Sequence, residues 1–465
     1  MFWRFKIRNA VLCSVRVKGL ASLFCVAVAA AAGSAQLITF NDDGGWSWFE
    51  DERAIVHAGT LVIGSVAAGS KHPDRSGDIE VTLYDLATGR KQLVELHHRL
   101  ADGRDVYDDH NSPALLARPD GRVVAVYSKH GPENRFYCRI SKEPGAPRTW
   151  GPIREYVPSA SSRITYSNLH WLGAENGGKG RLYNFFRGLH NSYKPSYAWS
   201  DDGGESWQTG GVLIDVPGKF RHRPYVKYAS GEPDTVHLFY TEGHPRDYDN
   251  SAYHVVYRNG VLHRSDMTPI RRLREGLKEP AEGTRIFAGG PDKVAWVSDI
   301  HLDSGGKPYV AYSVQVNSQG LPPGKAGDDL RYRYGRWNGQ RWLDHEIAYA
   351  GSRLYAGEDD YSGNIALDPH DPDTVYISTN AQPVNGRPLV SNADAKRHYE
   401  IFRGTTRDGG ATFRWTPMTE HSTADNIRPV VPIWRSDQRI VLWLRGAYRA
   451  YTNYDLAVVG IVERR

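Results

Sequence analysis

The feature that most constrains this chain is a unit that recurs seven times. In each copy an inner β-rich run opens on polar residues, a turn follows, and a second run ends in a polar residue or glycine. Successive copies begin near Trp46, His110, Tyr166, Arg223, Trp296, Tyr361 and Asn426. Their spacing of roughly 60 residues is within reach of a four-stranded blade. Short β-rich runs follow turn residues throughout: Arg122–Tyr127 after Pro119-Asp120-Gly121, Pro308–Val314 after Ser304-Gly305-Gly306, Thr374–Ser378 after Asp371-Pro372-Asp373. Long amphipathic helical patterns are scarce, and a sandwich does not account for seven such units. The pattern predicts an all-β, single-domain, seven-bladed β-propeller over residues 36–465. Leu37–Phe40 and Asp455–Val462 are expected to pair and close the ring, which removes exposed strand edges. Asn317–Asp328 reads as a surface loop of the fifth unit.

A shorter motif supports the same architecture. Ser200, Asp202, Gly204 and Trp207 match Thr406, Asp408, Gly410 and Phe413 in spacing, with a partial copy at Asp43, Gly45 and Trp48. The pattern resembles the Asp-box of sialidase-type propellers. The carboxylate can hold the turn, glycine permits positive φ, and the aromatic ring plugs the blade. Its role is structural.

The first 35 residues read as a secretory signal. Arg4, Lys6, Arg8, Arg16 and Lys18 come first, then an apolar run from Leu20 to Ala32, then Gly33, Ser34 and Ala35. The run falls short of the about 20 residues that span a bilayer. The expectation is a secreted or periplasmic protein, monomeric and free of the membrane after cleavage. Cleavage would leave Cys138 alone, so stability must come from the core and not from a disulfide. The net charge of +5 contains no dense Lys/Arg block, which argues against nucleic acid and leaves room for an acidic glycan.

In a propeller the starts of inner strands and the loops leaving second strands border one central funnel. Reading those two places off the repeat gives His110 and His130 from the second unit, Tyr166 and Arg187 from the third, and Arg223, Tyr225, Tyr240 and His244 from the fourth. A lone His at a strand start more often caps a turn, a lone Tyr more often packs, and a lone Arg can pair with a structural Asp. Four such residues at equivalent ends of adjacent units argue for a shared site. Asp108 and Asp109 read as turn residues that orient His110.

These segments resemble the ulvan lyases built on a seven-bladed propeller, within a wider group carrying degenerate Asp-boxes. The resemblance is strongest from Asp108 to Arg246 and recurs in Glu358-Asp359-Asp360-Tyr361 and Asp425-Asn426-Ile427-Arg428-Pro429. It implies catalytic roles for His110, His130, Tyr166 and Arg187, and substrate contacts for Tyr225, His244, Arg223, Tyr240, Tyr361 and Arg428. It also implies β-elimination across a uronate, with an acidic, ulvan-like polysaccharide as partner. Elimination needs a cation on the carboxylate, a base for the C5 proton and an acid for the departing O4. Arg187 suits the first task, with His130 able to share it. His110 and Tyr166 suit the proton transfers, in either order.

Two other functions fit a propeller. A rhamnosidase- or sialidase-like hydrolase would use two carboxylates or an Arg cluster with a Tyr nucleophile. A non-catalytic glycan-binding propeller would not need His110 and Tyr166 together. No cofactor is required. Glu358-Asp359-Asp360 offers oxygen ligands of the type Ca²⁺ takes, and a His-dominated Zn²⁺ site near His244 is compatible with the sequence. His97 and His98, adjacent in a strand, would point to opposite faces and cannot chelate together.

Overall fold

The computed structural model describes residues 36–464, apart from 101–105, 132, 190–192, 218, 220–222, 232, 317–320, 323 and 435–436. The signal read over residues 1–35 and part of the loop read at 317–328 lie outside the described residues.

Seven antiparallel sheets form the seven blades. The first is Ala54–His57, Thr60–Val66, Ile79–Asp85 and Lys91–His97, and the second Ala114–Ala117, Val123–Tyr127, Phe136–Ile140 and Arg154–Tyr156. The third is Thr165–Leu172, Arg181–Gly188, Lys194–Ser200 and Gln208–Val212. The fourth is Val226–Gly231, Thr235–Thr241, Ala252–Arg258 and Thr284–Phe287, enlarged by the hairpin Val261–His263 and Pro269–Arg272. The fifth is Lys293–Leu302, Pro308–Val316, Leu330–Trp337 and Trp342–Gly351, and the sixth Ile365–Leu367, Thr374–Thr379, Glu400–Thr405 and Arg414–Pro417. The seventh joins both ends of the fold: Asp425–Val430, Gln438–Ala450 and Asn453–Arg464 pair in order, and Ile38–Asn41 completes the sheet beside Asn453–Arg464. The ring closure expected from the sequence is therefore present. Among the described residues the only α-helix is the single turn Glu175–Gly178, and no helix is long and apolar enough to cross a membrane.

Both faces of the inner strands are covered by neighbouring blades, so these strands are largely buried, polar residues such as Asn168, Asn184 and Lys227 included. Thr60–Val66 is buried at every position, whereas the outer strand Lys91–His97 is mostly exposed. Apolar clusters fill the gaps between blades, for example Val62, Val81, Leu115 and Tyr127 between the first and second. Cys138 is free and buried in the next such layer.

The two full Asp-boxes have the same bonds. Ser200 Oγ and Thr406 Oγ1 each donate to the Asp two residues on at 2.7 Å, and the amides of Ser206 and Thr412 return to Asp202 and Asp408 at 2.9 Å. The partial copy is not an Asp-box. Asp43 instead accepts from the amides of Ala68, Gly69, Lys71 and His72, at 3.0–3.2 Å, and fastens that loop.

The stretch from Trp46 to Arg53 also departs from the repeat. The inner strand of the first blade starts at Ala54, and the residues before it form an axial plug. The Ser47 amide bonds the Asp109 carbonyl at 3.1 Å, the Asp51 amide bonds the Ser167 carbonyl at 3.3 Å, and buried Lys227 binds the Trp48 carbonyl at 2.6 Å and the Asp51 carboxylate. Trp48 thus packs on the axis, against Trp296 and Tyr361, and not inside a blade.

Candidate active site

One carboxylate organises the site. Asp108 caps the 3-10 turn Asp109–Asn111 by accepting from the His110 amide at 3.0 Å. Its Oδ1 lies 2.6 Å from His110 Nδ1 and its Oδ2 lies 2.8 Å from His130 Nδ1. The His130 amide is held by Asn111 Oδ1 at 2.7 Å. The two imidazoles consequently stack, with centroids 4.2 Å apart and planes 18° apart. Their Nδ1 atoms are occupied, which turns both Nε2 atoms away from Asp108.

Tyr166 comes from the third blade, where a bulge between Thr165 and Asn168 interrupts the register and Tyr166 takes φ of 60°. A non-glycine residue in that region costs on the order of 1–3 kcal/mol, and the bulge re-aims the side chain. The ring lies 5.2 Å from His110 and against Phe49 of the plug. Arg187, opposite Thr165 on the next strand, places its guanidinium 5.4 Å from the Tyr166 ring centroid and 4.1 Å from that of Tyr225, with Nε donating to the Tyr193 carbonyl at 3.1 Å. Tyr225 meets His244 edge-on at 5.5 Å. Six residues from three blades therefore form one row: His130, His110, Tyr166, Arg187, Tyr225 and His244.

Charge differs sharply between the two stacked imidazoles. Burial opposes protonation of His110, but Asp108 and Asp109 outweigh it and hold its pKa well above the ordinary histidine value. His130 is pushed down, by burial and then by the positive His110 beside it, against the pull of Asp108. His110 is thus the cation and His130 the neutral imidazole. Burial and the Tyr225 phenol hold the Tyr166 pKa well above its usual value, with Arg187 opposing, so the phenol keeps its proton. Arg187 stays charged despite its burial, since the flanking Tyr225 and Tyr166 phenols favour the guanidinium. His244 falls to about 2, through burial and then Arg246, Arg187 and Arg223.

Other residues expected at the site lie elsewhere or are already engaged. Arg223 sits at the rim, partly exposed, 3.9 Å from Asp247. Tyr361 is a floor residue packed 4.6 Å from Trp296 and is buried. Tyr240 is not at the site: it is fully buried in the layer between the third and fourth blades, and its hydroxyl donates to the Pro280 carbonyl at 2.7 Å. Arg187 holds the equivalent place in its own strand, so it is the packing around Tyr240 and the Pro280 carbonyl that draw its ring between the sheets. Arg428 is 1% exposed and its guanidinium is taken by Asp109 at 2.6 Å, the Tyr448 hydroxyl at 2.7 Å and the Trp46 carbonyl. It anchors Asp109 and does not face the opening.

Three neighbours were not foreseen. Tyr451 presents its ring edge-on to both imidazoles, 5.0 Å from His110 and 5.7 Å from His130, from the tip of the long hairpin of the seventh blade. Tyr193 donates its hydroxyl to the Gly131 carbonyl at 3.0 Å and flanks Arg187. Arg246 bonds His244 Nε2 at 2.8 Å and Glu358 at 2.9 Å. Tyr451 lies just before the segment Asp455–Val462 expected to close the ring, and no motif in the sequence announces it.

The groups considered for metals have other partners. In Glu358-Asp359-Asp360 the carboxylates engage Arg246, Arg353 and Gln315 respectively. His244 meets Arg246 through both ring nitrogens. Ligand atoms of Asp108, His110 and His130 lie within 4.8 Å of one another, but Asp108 already bridges the two imidazoles. At the outer edge, Asp78, Glu95 and His98 form a second such group, with His98 Nδ1 3.0 Å from Asp78.

The sequence profile of the BNR repeat-containing family matches residues 64–350. No curated protein sequence matches the chain. Among solved structures it is similar to an ulvan lyase bound to a glycan of glucuronate and sulfated rhamnose, with a TM-score of 0.64 and 16% identity over 91% of this chain and 95% of that one. It is also similar to a second polysaccharide lyase, with a TM-score of 0.56 and 11% identity over 92% and 99%. At these identities the likeness is one of fold.

Proposed function

The chain belongs to the BNR repeat-containing family, and from that premise we propose that it is a polysaccharide lyase cleaving a uronate-containing, ulvan-like glycan by β-elimination. One observation carries the reading: a cationic imidazole, a neutral imidazole, a protonated phenol and a buried guanidinium meet in one row. That set matches the demands of elimination. Arg187, with the His110 imidazolium, takes the uronate carboxylate and makes the C5 proton more acidic. His130, whose Nδ1–H is committed to Asp108, offers Nε2 as the base. As the C5–H bond breaks, its electron pair forms the C4=C5 double bond and the C4–O4 bond breaks. The Tyr166 phenol donates its proton to O4. Tyr225 and His244 extend the row as binding residues for the neighbouring sugar.

A hydrolase has a weaker claim on one observation. Glu358 and Asp360 both titrate at about 7, raised by burial first, with Asp359 adding to both and Arg246 opposing. Paired carboxyls of that kind suit acid–base hydrolysis, but they flank Arg246 at the far end of the row from the two imidazoles.

The protein is further proposed to act as an exported monomer after loss of residues 1–35. Incubation with a panel of uronate polysaccharides tests the main reading. An unsaturated uronate absorbing at roughly 235 nm is expected from removal of the C5 proton. Reducing ends released without that chromophore would establish hydrolysis instead.

A further inference from the structure

A carboxyl group that the proposed reaction does not use lies in the plug beneath it. Glu50 is 1% exposed, and neither of its oxygens has a hydrogen-bond partner among the described residues. Its position is fixed from both sides. Ser47, three residues before it, bonds the carbonyl of Asp109, which precedes His110. Asp51, the next residue, bonds the carbonyl of Ser167, which follows Tyr166. Phe49 packs 5.2 Å from the Tyr166 ring. Glu50 is therefore clamped between the strand entries that supply the cationic imidazole and the phenol.

The same three segments contribute other buried polar atoms without partners: Trp46 Nε1 and Trp48 Nε1 from the plug, Asn111 Nδ2 and Ser112 Oγ beyond His110, and Ser167 Oγ beyond Tyr166. A single stranded group of this kind costs about 1–3 kcal/mol. Unpaired groups on the segments that flank Glu50 are of the kind that ordered internal water satisfies, given a polar site with two to four partners. Burial, Asp109 and Asp51 favour the neutral acid, while His110 and Arg53 oppose it, and the balance holds the Glu50 pKa well above the carboxylate range. Tyr166 in turn feels the charge of Glu50.

We propose that Glu50 holds a proton in the resting protein and relays it, through water bound by these plug and strand-entry groups, to Tyr166 after each elimination. The relay rests on the lyase reading and extends it. Tyr166 leaves the reaction as a phenolate once its proton is on O4. Glu50 gives its proton to that oxygen and becomes a carboxylate. It takes a proton back from the His110 imidazolium, which is refilled from solvent at Nε2, while His130 releases the C5 proton to solvent. No electrons change hands and the proton count closes. Glu50 acts through Tyr166 and His110 and does not touch the sugar.

The test is Glu50→Gln, which keeps the size and neutrality of the acid but cannot release its proton. With a uronate glycan that the wild type cleaves, kcat is expected to fall about 10²-fold, at the low end of general acid–base contributions, with KM unchanged. In the free wild-type protein at neutral pH, infrared spectroscopy should show a protonated-carboxyl band that is missing from the variant. The band should bleach during turnover and return afterwards. An active wild type with an unimpaired Glu50→Gln variant overturns the relay alone, whereas a wild type that forms no unsaturated product overturns the lyase reading beneath it. If the variant does not fold, the wild-type band is followed in a protein also carrying Glu358→Gln and Asp360→Asn, whose carboxyls titrate at about 7: its absence, or its indifference to turnover, sinks the relay.

Discussion

His110 and His130 lie face to face, 4.2 Å apart, on the two oxygens of one carboxylate. Two imidazolium ions at that distance would repel strongly, so Asp108 supports one charge and not two. The pair is asymmetric by construction, and its titration belongs to the pair as a unit. Several expected outcomes rest on this asymmetry.

Because His130 is held below the ordinary histidine range, the base is already free at mildly acidic pH. The acid limb of kcat/KM should have an apparent pKa below the usual value of about 6.5. A pH–rate profile with that limb at or above 6.5 would remove His130 as the base.

Asp108→Asn takes away the anion that keeps His110 charged. The alkaline limb of the profile should move to lower pH, and kcat should drop about 10²-fold, within the range of one acid–base contribution. His130→Ala and His110→Ala should each lose about 10²–10⁴-fold. The measurement is the rate of chromophore formation across pH. Retained eliminase activity in His110→Ala would refute its assigned role.

Arg187→Lys keeps the charge but loses the flat, two-pronged contact and the stacking on Tyr225. A hydrogen bond to a charged group is worth about 1.5–3 kcal/mol, so kcat/KM should fall about 10- to 100-fold. Equal rates for the two proteins would show that the guanidinium geometry is not used.

Asp109→Asn should destabilise the fold by about 3–5 kcal/mol, because it leaves the Arg428 charge buried without its partner. Arg428 and Asp109 are each about 1% exposed. The pKa of Asp109 is lowered on folding: burial raises it, but Arg428 and His110 prevail. Its contribution is therefore full above the unfolded carboxylate pKa of about 3.9 and is lost as pH falls through the folded value. Denaturant melts of both proteins at neutral and acidic pH measure this, and the gap between them should narrow as pH falls.

The sequence made the ring legible because blades repeat, and repetition identifies the inner strands whatever each blade packs against. It also gave the row of His110, His130, Tyr166 and Arg187, since equivalent strand ends of adjacent blades must meet. The failures have local causes. Tyr240 is next to last in its second strand, as Arg187 is in its own, but its ring runs between sheets, where the Pro280 carbonyl receives its hydroxyl. Arg428 lies in the inner strand Asp425–Val430, but its partner Asp109 is 319 positions away in the chain and no periodicity announces it. Trp48 fits a loose Asp-box pattern, while the contacts that make it part of the plug come from Lys227 and Trp296 in other blades. The plug, with Glu50 in it, breaks the repeat and so escapes any reading built on it.

Ile38–Asn41 is hydrogen-bonded to Asn453–Arg464 within the seventh sheet. Ile38–Asn41 must therefore wait, unpaired, until Asn453–Arg464 has been made. Closure thus depends on two segments more than 400 residues apart in the chain, and the ring cannot be sealed before both are present. Trimming Ile38–Asn41 should leave Asn453–Arg464 with a bare edge, and such a protein should self-associate more readily than the intact one.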